Sequence, residues 1–241
     1  MERYRRQIIL PGWGTEGQEK LRRDRVLVVG AGGLGSINLY YLTGAGVGTI
    51  GIVDDDTVTL SNLHRQILYT TDDLGRPKAE CAAQKLKRLN PEVVFEAYPI
   101  SLKNDTADEL FKNYDVIVDG LDNLAARNVL NATCLRLNKP WVHGAVSEFY
   151  GVVTTFVPHQ GPCWRCLYRN ITGNEKRKEE FPILGPVPGV IGSIQAGEVL
   201  KLLTGLGSKL VGRMLVWQAL QGRWSEFSFT RDPYCPACSS R

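Results

Sequence analysis

The stretch VLVVGAGGLG, residues 26–35, decides the fold of this chain. An apolar run, Val26 to Val29, stops at Gly30, and Gly32, Gly33 and Gly35 follow. That pattern reads as a buried strand, a tight turn and the start of a helix. Glycines let a backbone approach a phosphate closely, and a helix N-terminus offers free N–H groups at its positive dipole end. The next apolar run ends in IVDDDTV, residues 52–58, so Asp54, Asp55 and Asp56 stand where a ribose-binding carboxylate is expected. The polar block LSNLHRQ, residues 60–66, then brings Ser61, Asn62, His64, Arg65 and Gln66 together. A dinucleotide dehydrogenase has no evident need for an Arg and an Asn just past the ribose carboxylate. An enzyme that handles a triphosphate does, because charge spreads over phosphate oxygens in nucleotidyl transfer. Arg65 and Lys78 are placed to meet that charge, Arg with a planar fork and Lys with a point charge.

Outward from this stretch, strand and helix signals alternate. Strands are predicted at Val26–Gly30, Thr49–Val53, Val93–Tyr98, Tyr114–Asp119 and Pro140–Ala145, with helices over Gly35–Ala45, 77–90, 104–113 and 123–136. Such alternation implies an α/β fold: a Rossmann-like, mostly parallel sheet with helices on both faces. The second half changes character. Phe149–Val157 is strand-like, 170–188 is a charged, then proline- and glycine-rich loop, Val190–Leu203 is a helix, and Met214–Trp217 with Trp224–Phe229 reads as an antiparallel C-terminal extension. The whole chain, 1–241, is expected to be a single domain. Its parts would be a helical arm (1–24), a nucleotide-binding part (25–147), and a region from 148 to the end that holds the loop and a cysteine site.

The segment VDGLDN, residues 118–123, ends a strand, where carboxylates of a parallel sheet face the ligand crevice. Asp119 and Asp122 are candidate Mg²⁺ ligands, since Mg²⁺ prefers oxygen donors. Asp122 or Asn123 could equally cap the following helix. His64 and His143 lack a nucleophile partner and are read as hydrogen-bonding residues. Two C-x2-C pairs, Cys163/Cys166 and Cys235/Cys238, read as one Zn²⁺ site. Four thiolates close a tetrahedral site, so the role is structural, clamping the C-terminal end onto the segment before the loop. Cys81 and Cys134 stand alone in helical segments.

With 43% hydrophobic and 22% charged residues among 241, the composition is that of an ordinary globular protein. No apolar run of about 18 residues occurs, so no membrane partner is expected. The start, MERYRRQIIL, has no apolar h-region, and a cytoplasmic location is the default expectation. A net charge of +4, spread along the chain, argues against nucleic acid as a partner.

In order and spacing, the motifs RYRRQIIL (3–10), VLVVGAGGLGS (26–36), VDDDTVTLSNLHRQIL (53–68), GRPKAE (75–80), DGLDN (119–123), CWRC (163–166), GPVPGVIGSIQAGE (185–198) and CPAC (235–238) span nearly the whole chain. Together they resemble the ThiF/MoeB/HesA family of adenylating enzymes, relatives of ubiquitin-activating enzymes. The resemblance implies adenylation, with ATP and Mg²⁺, of the C-terminal glycine carboxylate of a ubiquitin-like sulfur-carrier protein ending in Gly-Gly. Pyrophosphate is released, and a sulfur donor such as a cysteine desulfurase or rhodanese later converts the acyl-adenylate to a thiocarboxylate. It places Gly30, Gly32 and Gly33 near the phosphates, and Asp54, with Asp56, near the ribose. Ser61, Asn62, Arg65 and Lys78 fall around the triphosphate, and Asp122 and Asn123 at the magnesium. Arg6 matches an arginine given across a homodimer to the partner's ATP site. Some members carry a cysteine in the crossover loop; the equivalent position is Lys178, so no loop-cysteine adduct with the carrier is expected. Leu121 replaces the usual Thr of a TDN motif, and Pro182 stands where glycine is common. The stretch QILYTTDDLGRPK (66–78) is slightly closer to the thiamine branch, whereas the missing loop cysteine points away from it, so thiamine and molybdopterin biosynthesis both stay open.

Three other readings use the same residues. An NAD-dependent oxidoreductase shares the glycine turn and ribose acid but leaves Arg65, Lys78 and the cysteine pairs without a role. A non-catalytic scaffold for a ubiquitin-like partner has no use for the full polar set. A tRNA-base dehydratase of the same family would call for a basic patch and a longer C-terminus.

Overall fold

The computed structural model describes residues 1–169 and 182–239. The expected loop at 170–188 falls mostly outside them, as does Lys178. Eight strands form one sheet in the order β3-β2-β1-β4-β5-β6-β7-β8. They are β1 (Arg25–Val29), β2 (Thr49–Val53), β3 (Val94–Tyr98), β4 (Val116–Asp119), β5 (Trp141–Ser147), β6 (Tyr150–Phe156), β7 (Arg213–Gln218) and β8 (Arg223–Ser228). The first five pair in parallel, and the last three continue the sheet in antiparallel pairs from β5 onward.

The helices are α1 (Arg5–Ile8), α2 (Gly14–Leu21), α3 (Gly33–Ala45), α4 (Lys78–Leu89), α5 (Asn104–Phe111), α6 (Leu124–Arg136), α7 (Trp164–Leu167) and α8 (Pro186–Thr204). Side chains along a strand alternate between faces, which gives each face its own core. On β1, Val26 and Val28 join the cluster under α3, α4 and α8, while Leu27 and Val29 join the one under α5 and α6. Both sets are fully buried, each side chain contributing about 1.5–3 kcal/mol. None of the described helices is long and apolar enough to cross a membrane.

Most boundaries shift by one or two residues from the sequence reading, and two differences bear on the site. Helix α8 begins at Pro186, inside the stretch expected to be loop. Proline is tolerated in a first turn, because those N–H groups have no intrahelical acceptor anyway. Gly192 within it lets α8 close on α3, since a Cβ there would lie 2.9 Å from Ile37. The predicted start of α3 at Gly35 moves back to Gly33, so Gly33 and Gly35 are helical. Gly35 is required by close approach: a Cβ would sit 1.9 Å from the Gly30 carbonyl.

Candidate functional site

The C-terminal ends of β1, β2 and β4 converge on a cleft, the usual ligand position in an open α/β sheet. Its floor is two glycine turns laid back to back. Gly30 follows β1 with φ +96, and a Cβ on it would lie 2.5 Å from the carbonyl of Gly120, which follows β4. Only glycine at both positions permits that approach.

Asp54 follows β2 directly, and its carboxylate is already oriented. One oxygen accepts the Ala31 N–H at 2.7 Å and the other the Asp56 N–H at 2.9 Å. Each oxygen keeps a further lone pair for a ligand hydroxyl. Burial pushes the Asp54 carboxyl up, and the Lys78 ammonium pulls the other way without cancelling it. A carboxyl raised in the folded state protonates at a higher pH than free aspartate, and its contribution to fold stability is lost as pH rises through that value. If Asp54 receives ribose hydroxyls, its ionised form is the better acceptor. Adenosine affinity is therefore expected to begin falling, on acidification, at a higher pH than that at which ordinary aspartates protonate. Calorimetric titration measures it; an affinity that starts to drop only in the usual aspartate range would contradict the assignment.

Lys78 is the first residue of α4 and is 3% exposed. A cation there opposes the helix dipole and loses its hydration. Its ammonium pairs with Asp56 at 2.8 Å, but Asp56 is itself largely exposed. Such a placement makes sense if an anion completes it. Arg65 is held by the Ser61 carbonyl at 3.0 Å and the His64 ring at 2.9 Å, so His64 has the hydrogen-bonding role expected of it.

A cavity of about 260 Å³ gathers Gly30, Gly32, Asp54, Asp56, Asn62, Arg65, Lys78, Asp122 and Asn123. Three expected site residues are not on its wall. Ser61 is exposed and contributes only its carbonyl to Arg65. Gly33 lines a second, adjoining cavity of about 290 Å³ with Arg127, Ser147, Ile183 and Pro188. Arg6 is exposed on α1 and lines neither.

Asp119 is not a magnesium ligand. It is fully buried, with one oxygen bound by Arg127 Nε at 2.9 Å and His143 Nδ1 at 2.6 Å, the other by the Leu121 N–H at 2.9 Å. Burial pushes the Asp119 carboxyl up, but Arg127 and then His143 outweigh it and leave it below the usual range. Burial pushes the His143 ring down, against the pull of Asp119, so Nδ1–H donates to Asp119. The helix cap is Asn123, whose side chain accepts the Ala126 N–H at 2.8 Å. Asp122 therefore does not cap α6; it is exposed at the cavity mouth. Sequence reasoning missed Arg127, which also donates to the Leu121 and Gly144 carbonyls and so holds the loop carrying Asp122. An arginine inside the apolar helix LAARNVL was the available signal.

The four cysteines come together as expected. Their Sγ atoms lie 3.8 Å (Cys163–Cys166), 3.6 Å (Cys163–Cys235) and 3.5 Å (Cys166–Cys238) apart, all four within 4.8 Å of one another. A tetrahedral S₄ site with Zn–S of about 2.3 Å requires S···S of about 3.8 Å, whereas a disulfide needs about 2.05 Å. The cluster thus suits zinc. Against burial, N–H groups of Ala237 and Cys238 bring the Cys235 thiol down, whereas burial pushes the Cys163 and Cys238 thiols up, Cys238 to about 11, so a bound cation would have to draw off their protons. Cys235→Ser is expected to release zinc and lower the melting temperature by several degrees while leaving the nucleotide cavity intact. Metal analysis and calorimetry check it; unchanged melting with unchanged zinc would contradict a structural role.

Residues 4–237 match the ThiF family model. The chain belongs to the ThiF family. It is 45% identical to the sulfur carrier protein adenylyltransferase of Thermus thermophilus, over 99% of this chain and 90% of that protein. It is 41% identical to the molybdopterin-synthase adenylyltransferase of Escherichia coli, over 99% and 96%. With the longer adenylyltransferase and sulfurtransferase MOCS3 of Xenopus laevis it shares 40% identity, over 99% of this chain but 53% of that protein. Among solved structures, E. coli MccB superposes with a TM-score of 0.82 at 23% identity, over 93% of this chain and 67% of that one. The MccB structure with ATP gives 0.80 at 22%, over 92% and 68%. These two likenesses show the fold.

Proposed function

We propose that this ThiF-family enzyme adenylates the C-terminal carboxylate of a ubiquitin-like sulfur-carrier protein ending in Gly-Gly. One observation carries the reading: two cavities share one wall, and Gly32, Arg65, Gln66, Gly120, Leu121 and Asp122 line both. A two-substrate condensation needs that arrangement. ATP occupies the polar cavity and the carrier's tail enters the other, so that a carboxylate oxygen meets the α-phosphorus at the shared wall. The names of the relatives support the carrier as acyl donor.

In the step itself, the carboxylate oxygen bonds to the α-phosphorus, and the bond from that phosphorus to the α,β-bridging oxygen breaks. Pyrophosphate leaves with the electron pair, so no protein base or nucleophile is needed. Asp54 holds the ribose hydroxyls, while Asn62, Arg65 and Lys78 bear on the triphosphate, where negative charge accumulates. Asp122 would hold Mg²⁺, which neutralises charge between the phosphates when bound. The glycine turn at Gly30–Gly33 offers N–H groups without side-chain obstruction. Arg6, absent from its own cavity, is assigned to the partner's site in a homodimer. The thiocarboxylate would be completed by a separate cysteine desulfurase or rhodanese-type donor in the cytoplasm, for thiamine or molybdopterin synthesis.

The test is exchange of labelled pyrophosphate into ATP, measured with and without a Gly-Gly carrier. Carrier-dependent exchange is expected. Hydride transfer with a nicotinamide nucleotide and no exchange would overturn the reading in favour of an oxidoreductase.

A further inference from the structure

Asp119, Arg127 and His143 form a buried triad behind Leu121, a residue that lines both cavities. Stability alone does not account for it, because replacing a buried ionic group by apolar packing is often neutral or better. Arg127 also stands near the start of α6, where a cation opposes the helix dipole. What the triad holds is the backbone of Leu121. The Leu121 N–H donates to Asp119 Oδ1 at 2.9 Å, and the Leu121 carbonyl accepts from Arg127 Nη2. Asp122 follows directly, and beyond it the Asn123 side chain caps α6. The Asp122 backbone is thus fixed from both sides, while its side chain stands at the cavity mouth.

His143 decides how this clamp is set. A guanidinium beside a carboxylate favours two parallel hydrogen bonds, one to each oxygen. Here Arg127 reaches Asp119 through Nε alone, on Oδ2 at 2.9 Å, and its Nη2 serves the Leu121 and Gly144 carbonyls instead. His143 Nδ1–H takes the same Oδ2 at 2.6 Å, which leaves Oδ1 turned to the Leu121 N–H. With Nδ1 donating, Nε2 must accept, and the Tyr168 hydroxyl lies 3.5 Å from it. No step of the adenylation itself uses His143. We propose that His143 is a positioning residue: its ring keeps the Asp119 carboxylate from swinging into a two-point pair with Arg127, and so keeps the Asp122 carboxylate where Mg²⁺-bound ATP needs it. This inference rests on the assignment of Asp122 to Mg²⁺ in the proposed function.

ATP is the probe, its affinity measured by calorimetric titration once in excess Mg²⁺ and once in EDTA. The ratio of the two affinities isolates the metal contact, and the metal-free affinity reports that the nucleotide pocket is folded. Removing a group that orients a metal ligand typically weakens metal binding about 10- to 100-fold. His143→Leu is expected to lower the ratio by about that factor, as Asp122→Ala does, with the metal-free affinity unchanged. His143→Asn, whose side-chain N–H can still donate to Asp119, should recover most of the ratio. Tyr168→Phe removes a single hydroxyl and should lower the ratio about two- to fivefold. A His143→Leu chain that binds metal-free ATP and keeps the native ratio overturns the proposal, and so does a His143→Asn chain as impaired as His143→Leu. If His143→Leu does not fold, an unchanged ratio in Tyr168→Phe overturns it. If the native chain shows no preference for Mg²⁺-bound ATP and Asp122→Ala behaves like it, the Asp122 assignment fails and this inference with it. Carrier-dependent pyrophosphate exchange judges adenylation separately.

Discussion

Lys78→Ala is expected to slow carrier-dependent pyrophosphate exchange by about a hundred- to a thousand-fold while leaving the melting temperature almost unchanged. The two halves of that expectation come from one placement. Buried at the first residue of α4, the Lys78 ammonium would, on the proposed reading, act on phosphates in a cavity where its field is little screened, and loss of one such preorganised group typically costs that factor. For the fold, the same ammonium is at the wrong end of a helix dipole, a term of about 0.3–1 kcal/mol against it. Its partner Asp56 is mostly exposed and loses little when abandoned. Lys78→Arg should not restore the rate, since a longer planar fork does not occupy the slot of a point charge. Asp122→Ala should match the rate loss through the metal. Exchange kinetics beside calorimetry decide the matter. A fully active Lys78→Ala would remove the lysine from the site, and a collapse in melting would make it a structural residue.

The largest stability effect is expected at Arg127→Met, about 3–5 kcal/mol, because the change strands the buried Asp119 carboxylate. It also removes the donor to the Leu121 and Gly144 carbonyls. The deficit should depend on pH with a definite sign. In the native chain the Asp119 carboxyl is held low, so its stabilisation is present above the ordinary aspartate range and lost as pH falls through the folded value. Without the guanidinium, burial dominates and raises it, so the variant gains stability as pH falls. Urea unfolding at about pH 7.5 and pH 5 should therefore show the gap narrowing on acidification. A gap of constant size would mean that lost packing, not a stranded charge, sets the cost.

Much of this is legible in the chain itself, and the exceptions share a cause. The run at 26–35 announces its strand, turn and helix because each residue acts locally: valines fill the pleat and glycines make the bend. The cysteine pairs announce a shared site because thiol spacing is tied to metal geometry. Asp119 and Asp122 look alike in VDGLDN, three residues apart. What separates a buried ion pair from a cavity-mouth carboxylate is Arg127 on α6 and His143 on β5, which only the folded sheet brings near. The start of α8 was hidden for another reason: two prolines and three glycines in GPVPGVIG look like punctuation until α3 supplies the surface they fit.

The back-to-back contact of Gly30 and Gly120 also says where the cleft can breathe. Neither turn has a side chain where they touch, so no rotamer change can part them. Separation would mean breaking sheet hydrogen bonds, Gly30 N–H to the Val53 carbonyl at 2.7 Å and Gly120 N–H to the Val29 carbonyl at 2.8 Å. The floor is therefore the stiff part of the cleft, since opening it would cost those bonds. Entry of one substrate and escape of the other must use the outer walls, the turn at 60–66 and the stretch from Ile183 to Pro188. Solvent viscosity and substitutions in those walls, rather than in the floor, should govern how fast the enzyme cycles once chemistry is quick.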